Sequence, residues 1–369
     1  MAKAKQTLLE IDLNALGHNY HFLRSKLAPE TKMLGVVKAF GYGSNDVVIA
    51  RELAELGVDY LAVAYASEGV RLRDAGIETP ILVLHTLPEN FKAITDKCLE
   101  PNIYSRRLLT GFIQFAEAEG LSNYPVHIKF NTGLNRLGFP GDDVAFILES
   151  VSETNSIEVR SLLSHLAASE DKNEADFTRK QIEAFEVISN KMIAGLGYSP
   201  MRHTTNTSGI LNYPEAHYEM VRAGIGLYGF GNDPRFNAEL RPVLTLKTVI
   251  SQIHEIPKGQ TIGYNRAYKA PQNLRTATLP VGHADGISRA YGNGVGWVTI
   301  QGQKAPIVGN VCMDMIMVDV TEIDCEEGDE VIVFGTQPTA DTLAESAGTI
   351  SYELLTALSR RIKQVVCRK

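Results

Sequence analysis

The feature that most limits the fold is an alternation, through the first two-thirds of the chain, of short apolar runs with amphipathic stretches. Asp12 stands where an N-cap would, followed by Leu13, Leu16, Tyr20, Leu23 and Leu27 at the three-and-four spacing of one buried helix face. The run at 33–39 is too short for a helix and meets Gly41 and Gly43; a helical stretch then closes at Leu56 and Gly57. Apolar runs return at 60–64, 81–85, 102–104, 126–130, 157–165, 202–206 and 218–224, with helical segments at 67–75, 142–151 and 173–196. About eight strand–helix units of this length predict a (β/α)8 barrel of the TIM type rather than an open doubly wound sheet. No G-x-G-x-x-G follows an early strand, so a dinucleotide site has no support.

Past about Leu240 the texture changes to Val- and Thr-rich runs cut by Gly, Pro and Asp, at 243–253, 276–281, 296–302, 305–311, 315–321 and 329–335. The expectation is an α/β chain: a barrel over 1–239 and a mostly β domain over 240–369, closed by an amphipathic helix at 342–362. Two units suit 369 residues, which exceed one ordinary core. A net charge of −7 argues against a nucleic-acid or anionic-membrane surface. The basic stretch with Arg360, Arg361, Lys363, Arg368 and Lys369 reads as a solvated last helical turn. The opening MAKAKQTLLEIDL lacks the apolar run of a signal peptide, and no segment reaches the ~20 apolar residues of a membrane span. Cys98, Cys312, Cys325 and Cys367 form no C-x-x-C pair, so neither a metal site nor a disulfide framework is expected, and the plain reading is a reducing cytoplasm.

Barrel enzymes work at the carboxyl ends of their strands. Lys38 ends the apolar run LGVVKA and precedes the turn GYG at 41–43. By position alone it could point to solvent; in apolar surroundings it would have the lowered pKa that Schiff-base chemistry needs. Barrels often hold phosphate in the loops after their last two strands, here NTSG at 206–209 and RAGIG at 222–226. One offers hydroxyls and the other open backbone N–H groups. Separately these are an ordinary cap and an ordinary turn; with Lys38 they point to amine-plus-phosphate chemistry.

VVKAFGYGSN at 36–45 resembles the pyridoxal-phosphate signature of the alanine racemases. KFNTGLNRLGF at 129–139, SLLSHLA at 161–167, HTTNTSG at 203–209, MVRAGIGLYG at 220–229, GYNRAY at 263–268, LPVGHADGISR at 279–289, GNVCMDMIMVD at 309–319 and ISYELL at 350–355 resemble the same family in the same order. The likeness spans essentially the whole chain. The lysine motif also occurs in other pyridoxal-phosphate barrels, whereas GYN at 263–265 and Cys312-Met313-Asp314 are more specific to racemases.

The resemblance implies interconversion of L- and D-alanine with pyridoxal 5'-phosphate, supplying D-alanine for cell-wall peptidoglycan. It makes Lys38 the cofactor-bound lysine and one base, and Tyr264, from the other subunit of a homodimer, the opposing base. It places Tyr42, Thr207, Gly224, Ile225 and Tyr352 on the phosphate with Asn206 beside them. Arg222 would face the pyridine nitrogen, supported by His165. Arg136 would lie beside the cofactor's phenolic oxygen and, with Met313, near the substrate. Lys129 matches a lysine that is often carbamylated. Ser44, Asn45, Asn131 and His283 depart from common family residues, and His283 bears on the substrate entrance. Competing readings are a racemase of broader range acting on serine or lysine, a pyridoxal-phosphate-dependent decarboxylase, and a non-catalytic cofactor carrier. Arg222 opposes the decarboxylase, which normally has an acid at the ring nitrogen.

Overall fold

A computed structural model describes residues 4–369 of the chain. The first strand, β1 (Leu8–Asp12), runs into the helix Leu13–Arg24. Asp12 is its N-cap, accepting from the Asn14 and Ala15 N–H groups at 3.0 and 3.4 Å. Eight parallel strands follow: β2 (Lys32–Val36), β3 (Tyr60–Val63), β4 (Ile81–Val83), β5 (Glu100–Ile103), β6 (Tyr124–Lys129), β7 (Ile157–Leu163), β8 (Met201–His203) and β9 (Met220–Ala223). They pair in the order β8-β7-β6-β5-β4-β3-β2-β9. The Arg222 N–H donates to the Thr205 carbonyl at 3.2 Å just beyond β8, so the barrel is nearly closed. Every residue of β3, β4 and β9 is buried, as parallel strands covered on both faces require. Helices cover the outside with one apolar face each; Arg106–Ala118, for example, buries Leu108, Leu109, Phe112 and Ala116.

The second unit comprises β10 (Leu244–Val249), β11 (Gln252–Ile256), β12 (Thr261–Ile262), β13 (Tyr268–Lys269), β14 (Leu274–Leu279), β15 (Trp297–Ile300), β16 (Gln303–Val308), β17 (Ile316–Asp319), β18 (Glu330–Phe334) and β19 (Lys363–Cys367). Its nine-stranded sheet has the order β11-β14-β17-β16-β15-β18-β10-β1-β19, and β12 and β13 form a separate pair. The strand β1 therefore belongs to this sheet, antiparallel to β10 and parallel to β19.

Two expectations are corrected here. The helix expected at 342–362 is two short helices, Ala340–Ser346 and Ser351–Thr356, separated at Gly348 (φ +71°), and the chain then turns into β19. Amphipathic periodicity cannot register a strand whose partner lies more than 350 residues away. The basic end is accordingly no helix terminus. Arg368 forks onto Glu52 at 2.8 and 2.6 Å, Lys369 pairs with Glu10, and Arg361 joins Asp285 and Asp314. Among the described residues no helix is long and apolar enough to cross a membrane, and no cluster of His, Cys, Asp and Glu could hold a metal ion.

Candidate active site

Lys38 follows β2 by way of Val37 and opens a turn, Lys38–Tyr42, that coils the wrong way. Ala39, Phe40, Gly41 and Tyr42 all have φ between 52° and 62°. For the three residues with side chains this costs roughly 1–2 kcal/mol each, strain that must be held from outside. The Gly41 and Gly43 N–H groups donate to the Val37 and Ala39 carbonyls at 2.9 and 2.8 Å. The buried Glu68 carboxylate accepts the Ala39 N–H at 2.7 Å through one oxygen and those of Ala64 and Tyr65, at 2.7 and 3.2 Å, through the other. At Gly43 a Cβ would lie 1.9 Å from the Leu355 carbonyl, so the turn sits directly on the helix that carries Tyr352.

The coil ends at Tyr42. Its ring packs on Tyr228 and Tyr352, with centroids 4.5 and 6.0 Å apart. Its hydroxyl would stand 2.8 Å from a Cβ at Gly224, so that position must be bare. Burial raises the pKa of Tyr42, and likewise that of Tyr352, so both remain hydroxyl donors. Thr207 Oγ1 accepts from the Gly224 and Gly226 N–H groups at 3.1 Å each, which leaves its own proton to donate. Ile225 opens the 3-10 turn Ile225–Tyr228 and so has a backbone N–H without an intrahelical acceptor. Three hydroxyls, an open amide and a bare backbone make a concave donor set that fits a phosphate. Asn206 contributes indirectly: its side-chain oxygen caps Thr207–Asn212 through the Gly209 N–H at 2.9 Å and accepts from Ser169.

Arg222, at the end of β9, is 5% exposed. One terminal nitrogen donates to His203 Nδ1 and O at 2.8 and 2.9 Å. The other shares its two protons among the Ser164 and Thr204 carbonyls and His165 Nδ1, at 2.7, 3.0 and 3.1 Å. Among the described residues only Nε keeps its N–H without a partner, which suits a ring-nitrogen acceptor in the cleft. Burial first, then Arg136, moves the Arg222 pKa down to about 10, still a cation near neutral pH. His165 gives its Nδ1 lone pair to Arg222, so its Nε2 bears the proton. Burial and the surrounding cations hold its pKa well below the usual range.

Apart from Glu68, the charges acting on Lys38 are cations. Burial lowers the Lys38 pKa, with Arg136 adding to the effect; Glu68 opposes it. Lys129, at the end of β6, is pushed down to about 8 by burial and then by Arg222, Arg136 and Lys38. Two amines with depressed pKa values beside two guanidinium groups invite an anionic ligand or a covalent anion.

The structure does not bring every expected residue into this cluster. Tyr264 is 74% exposed in the turn Tyr264–Arg266 of the second unit, and Met313 is 60% exposed. Both lie on the outside of their own chain. The motif at 279–289 is tied to Cys312 and Met313 through backbone bonds of 2.9 Å, donated by His283 and Ala284. His283 itself is exposed. The residues that depart from the family's common pattern have local duties. Ser44 donates to the Gly41 carbonyl, Asn45 caps the helix Asp46–Glu55, and Asn131 accepts from the Gly133 and Asn135 N–H groups. Sequence reasoning missed Glu68, Asn232 (which donates to the Tyr352 hydroxyl at 3.3 Å) and the part His203 plays. His203 lay inside a quoted motif, but Glu68 has no motif to announce it.

A parallel barrel with a half-buried lysine, a phosphate-sized donor cradle and a buried guanidinium beside them defines the class, an enzyme built to hold a phosphorylated carbonyl cofactor on an amine. Comparison with known proteins narrows it. Residues 11–232 match the model of the alanine racemase N-terminal domain, and residues 243–366 that of the C-terminal domain. The alanine racemase of Halothermothrix orenii is 37% identical over 97% of this chain and 96% of its own length. The structure of alanine racemase from Clostridium difficile 630 superposes with a TM-score of 0.92 at 33% identity, covering 100% of this chain and 97% of that one. The alanine racemase of Bartonella henselae, solved with covalently bound pyridoxal phosphate, gives 0.91 at 27% identity, covering 99% and 100%. The chain belongs to the alanine racemase family.

Proposed function

We propose that this chain interconverts L- and D-alanine with pyridoxal 5'-phosphate held on Lys38, in the cytoplasm, as a homodimer with shared active sites, and so supplies D-alanine for peptidoglycan. In this reading residues 1–239 bind the cofactor and residues 240–369 complete the partner's site. The observation that carries it is the convergence of Lys38, Tyr42, Gly224, Thr207 and Arg222 on one cleft, in a chain of this family.

When bound, the cofactor supplies an electron-withdrawing ring that acidifies the Cα–H of an attached amino acid. Racemisation then needs a proton removed on one face of Cα and returned on the other. Lys38, its pKa lowered by burial and neighbouring cations, suits one face as a base near neutral pH. The Tyr264 hydroxyl of a second copy serves the other, and Lys38 takes the D-enantiomer's proton. His165, whose Nε2–H is free to donate, steadies the phenolate form of Tyr264. Arg222 donates but cannot deliver a proton readily, so it keeps the ring nitrogen unprotonated and limits side reactions. Arg136 and Met313 border the substrate. Lys129, partly neutral at its depressed pKa, can add carbon dioxide, and the resulting carbamate would place an anion beside Arg136.

The test follows the optical rotation of L-alanine with the purified protein and with Lys38→Ala. Racemisation lost with Lys38 is expected; cofactor bound to Lys38 with no racemisation of any amino acid would overturn the reading. L-serine and L-lysine measured alongside decide the substrate range. The second unit, matching the racemase C-terminal domain throughout, counts against a decarboxylase or a bare cofactor carrier.

A further inference from the structure

A line of buried polar side chains runs around the barrel interior, away from the cleft, across five neighbouring strands. It starts at Glu100 on β5, whose Oε2 lies 2.7 Å from His127 Nε2 on β6. His127 Nδ1 is 2.6 Å from Ser161 Oγ on β7, and the same oxygen is 2.8 Å from His203 Nε2 on β8. His203 Nδ1 meets Arg222 on β9 at 2.8 Å. His127, Ser161 and His203 are wholly buried. A barrel interior is normally filled with branched apolar side chains, so an unbroken polar line there is costly unless every member is satisfied.

The chemistry of the two ends gives the line one direction. Arg222 can only donate, so His203 Nδ1 must be a lone pair and its Nε2 must bear the proton. That proton points at Ser161. Among the described residues Ser161 Oγ has no third partner, so its own proton goes to His127 Nδ1. His127 therefore has its proton on Nε2 and donates to Glu100, which also takes up the Tyr60 hydroxyl. Burial and the Arg222 charge keep His203 neutral, consistent with this arrangement.

We propose that Glu100 is a remote positioning residue of the active site: through His127, Ser161 and His203 it holds Arg222 as an oriented donor toward the cofactor's ring. In a low-dielectric interior each bond of such a chain polarises the next, so the carboxylate charge is felt at Arg222 although no atom of Glu100 touches it. The inference rests on the racemase reading, in which Arg222 faces the ring nitrogen.

The first arm of the test is histidine-selective 15N NMR of the wild-type holoenzyme at neutral pH. His127 and His203 should both report neutral rings protonated on Nε2. An Nδ1–H ring or an imidazolium at either position overturns the proposal, whatever the enzyme's activity. The second arm compares Glu100→Gln, which keeps the acceptor and drops the charge, with wild type. A fall in kcat of about tenfold is expected, with KM for alanine unchanged and several-fold more turnovers diverted to transamination. Glu100→Leu, which also strands the His127 N–H, should fall further, and if it fails to fold the Gln variant still decides. A folded Glu100→Gln with wild-type kcat and partition overturns the proposal alone. Wild-type protein that racemises nothing overturns the function instead, and leaves the ring assignments to be read on their own.

Discussion

Two turns in this molecule leave ordinary backbone conformations and are held in opposite ways. The turn after Lys38 has Ala39, Phe40 and Tyr42 at positive φ; Gly41 and Tyr42 are buried, and Ala39 and Phe40 half-buried. Glu68 grips it, Tyr228 and Tyr352 cover it, and the helix at Ser351–Thr356 presses on Gly43. The turn carrying Tyr264 has Gly263, Asn265 and Arg266 at positive φ. It is exposed, and its side-chain support is the Asn310 amide donating to the Tyr264 carbonyl at 3.2 Å. On the proposed reading, one base is thus organised by its own chain before anything binds. The other is displayed, strained and bare, and on the proposed reading is finished by another copy.

The contrast can be broken most sharply by removing each base. Lys38→Ala should lower alanine racemisation on the order of 10⁴-fold or more and abolish the covalent cofactor absorbance. Tyr264→Phe should spare that absorbance yet still stop turnover. Mixing the two inactive variants under conditions that exchange subunits should recover roughly a quarter of wild-type activity, because half the dimers then have one intact site. No recovery would mean that Tyr264 serves its own chain. Glu68→Ala strands three backbone N–H groups and should cost about 2–4 kcal/mol by urea unfolding, with faster cofactor release. Asn310→Ala, the matching change at the other turn, should leave the urea midpoint nearly unmoved while kcat drops; equal losses of stability would erase the distinction.

A subtler prediction concerns Lys129. Its folded pKa of about 8 lies below its ordinary 10.5, so the unmodified protein binds fewer protons there than the unfolded chain does. Stability should therefore rise as pH increases between those values, recovering roughly 3 kcal/mol that protonated Lys129 removes below pH 8. Equilibration with carbon dioxide should abolish the rise and give a carbamate signal with 13C-labelled gas. A rise unchanged by carbon dioxide would exclude the modification. The smallest effect is expected at His165→Leu, which should move the pH–rate profile for L-alanine and leave that for D-alanine nearly in place.

Much of this was legible in the chain itself. The count of βα units, the N-cap at Asp12 and the lysine at the end of the first barrel strand all follow from local spacing, and local spacing is what a sequence records directly. The left-handed coil was half legible: Gly41 and Gly43 permit it, but nothing marks Ala39, Phe40 or Tyr42 as positive-φ residues. Glu68 and Glu100 were not legible, because a single acid among apolar residues resembles any solvated glutamate until the strands are closed. The ending at 342–362 misled for a related reason. Its periodicity is helical, yet Gly348 at φ +71° divides it into two short helices, and the chain leaves helix after Thr356 to reach the strand Lys363–Cys367, whose pairing with Leu8–Asp12 no local spacing announces.

That pairing has a consequence for how the molecule can be made and cut. The Leu8–Asp12 strand occupies an interior place in the nine-stranded sheet, between strands synthesised more than 230 residues later. On the ribosome it must wait, its edges unsatisfied, through emergence of the entire barrel. A fragment beginning at residue 240 would in turn fold around a gap, presenting two raw edges where the missing strand belongs, and such edges recruit other chains. The barrel and its companion sheet are thus stitched together by five residues that neither could surrender, and dissecting the enzyme at the obvious boundary should yield aggregates in place of two modules.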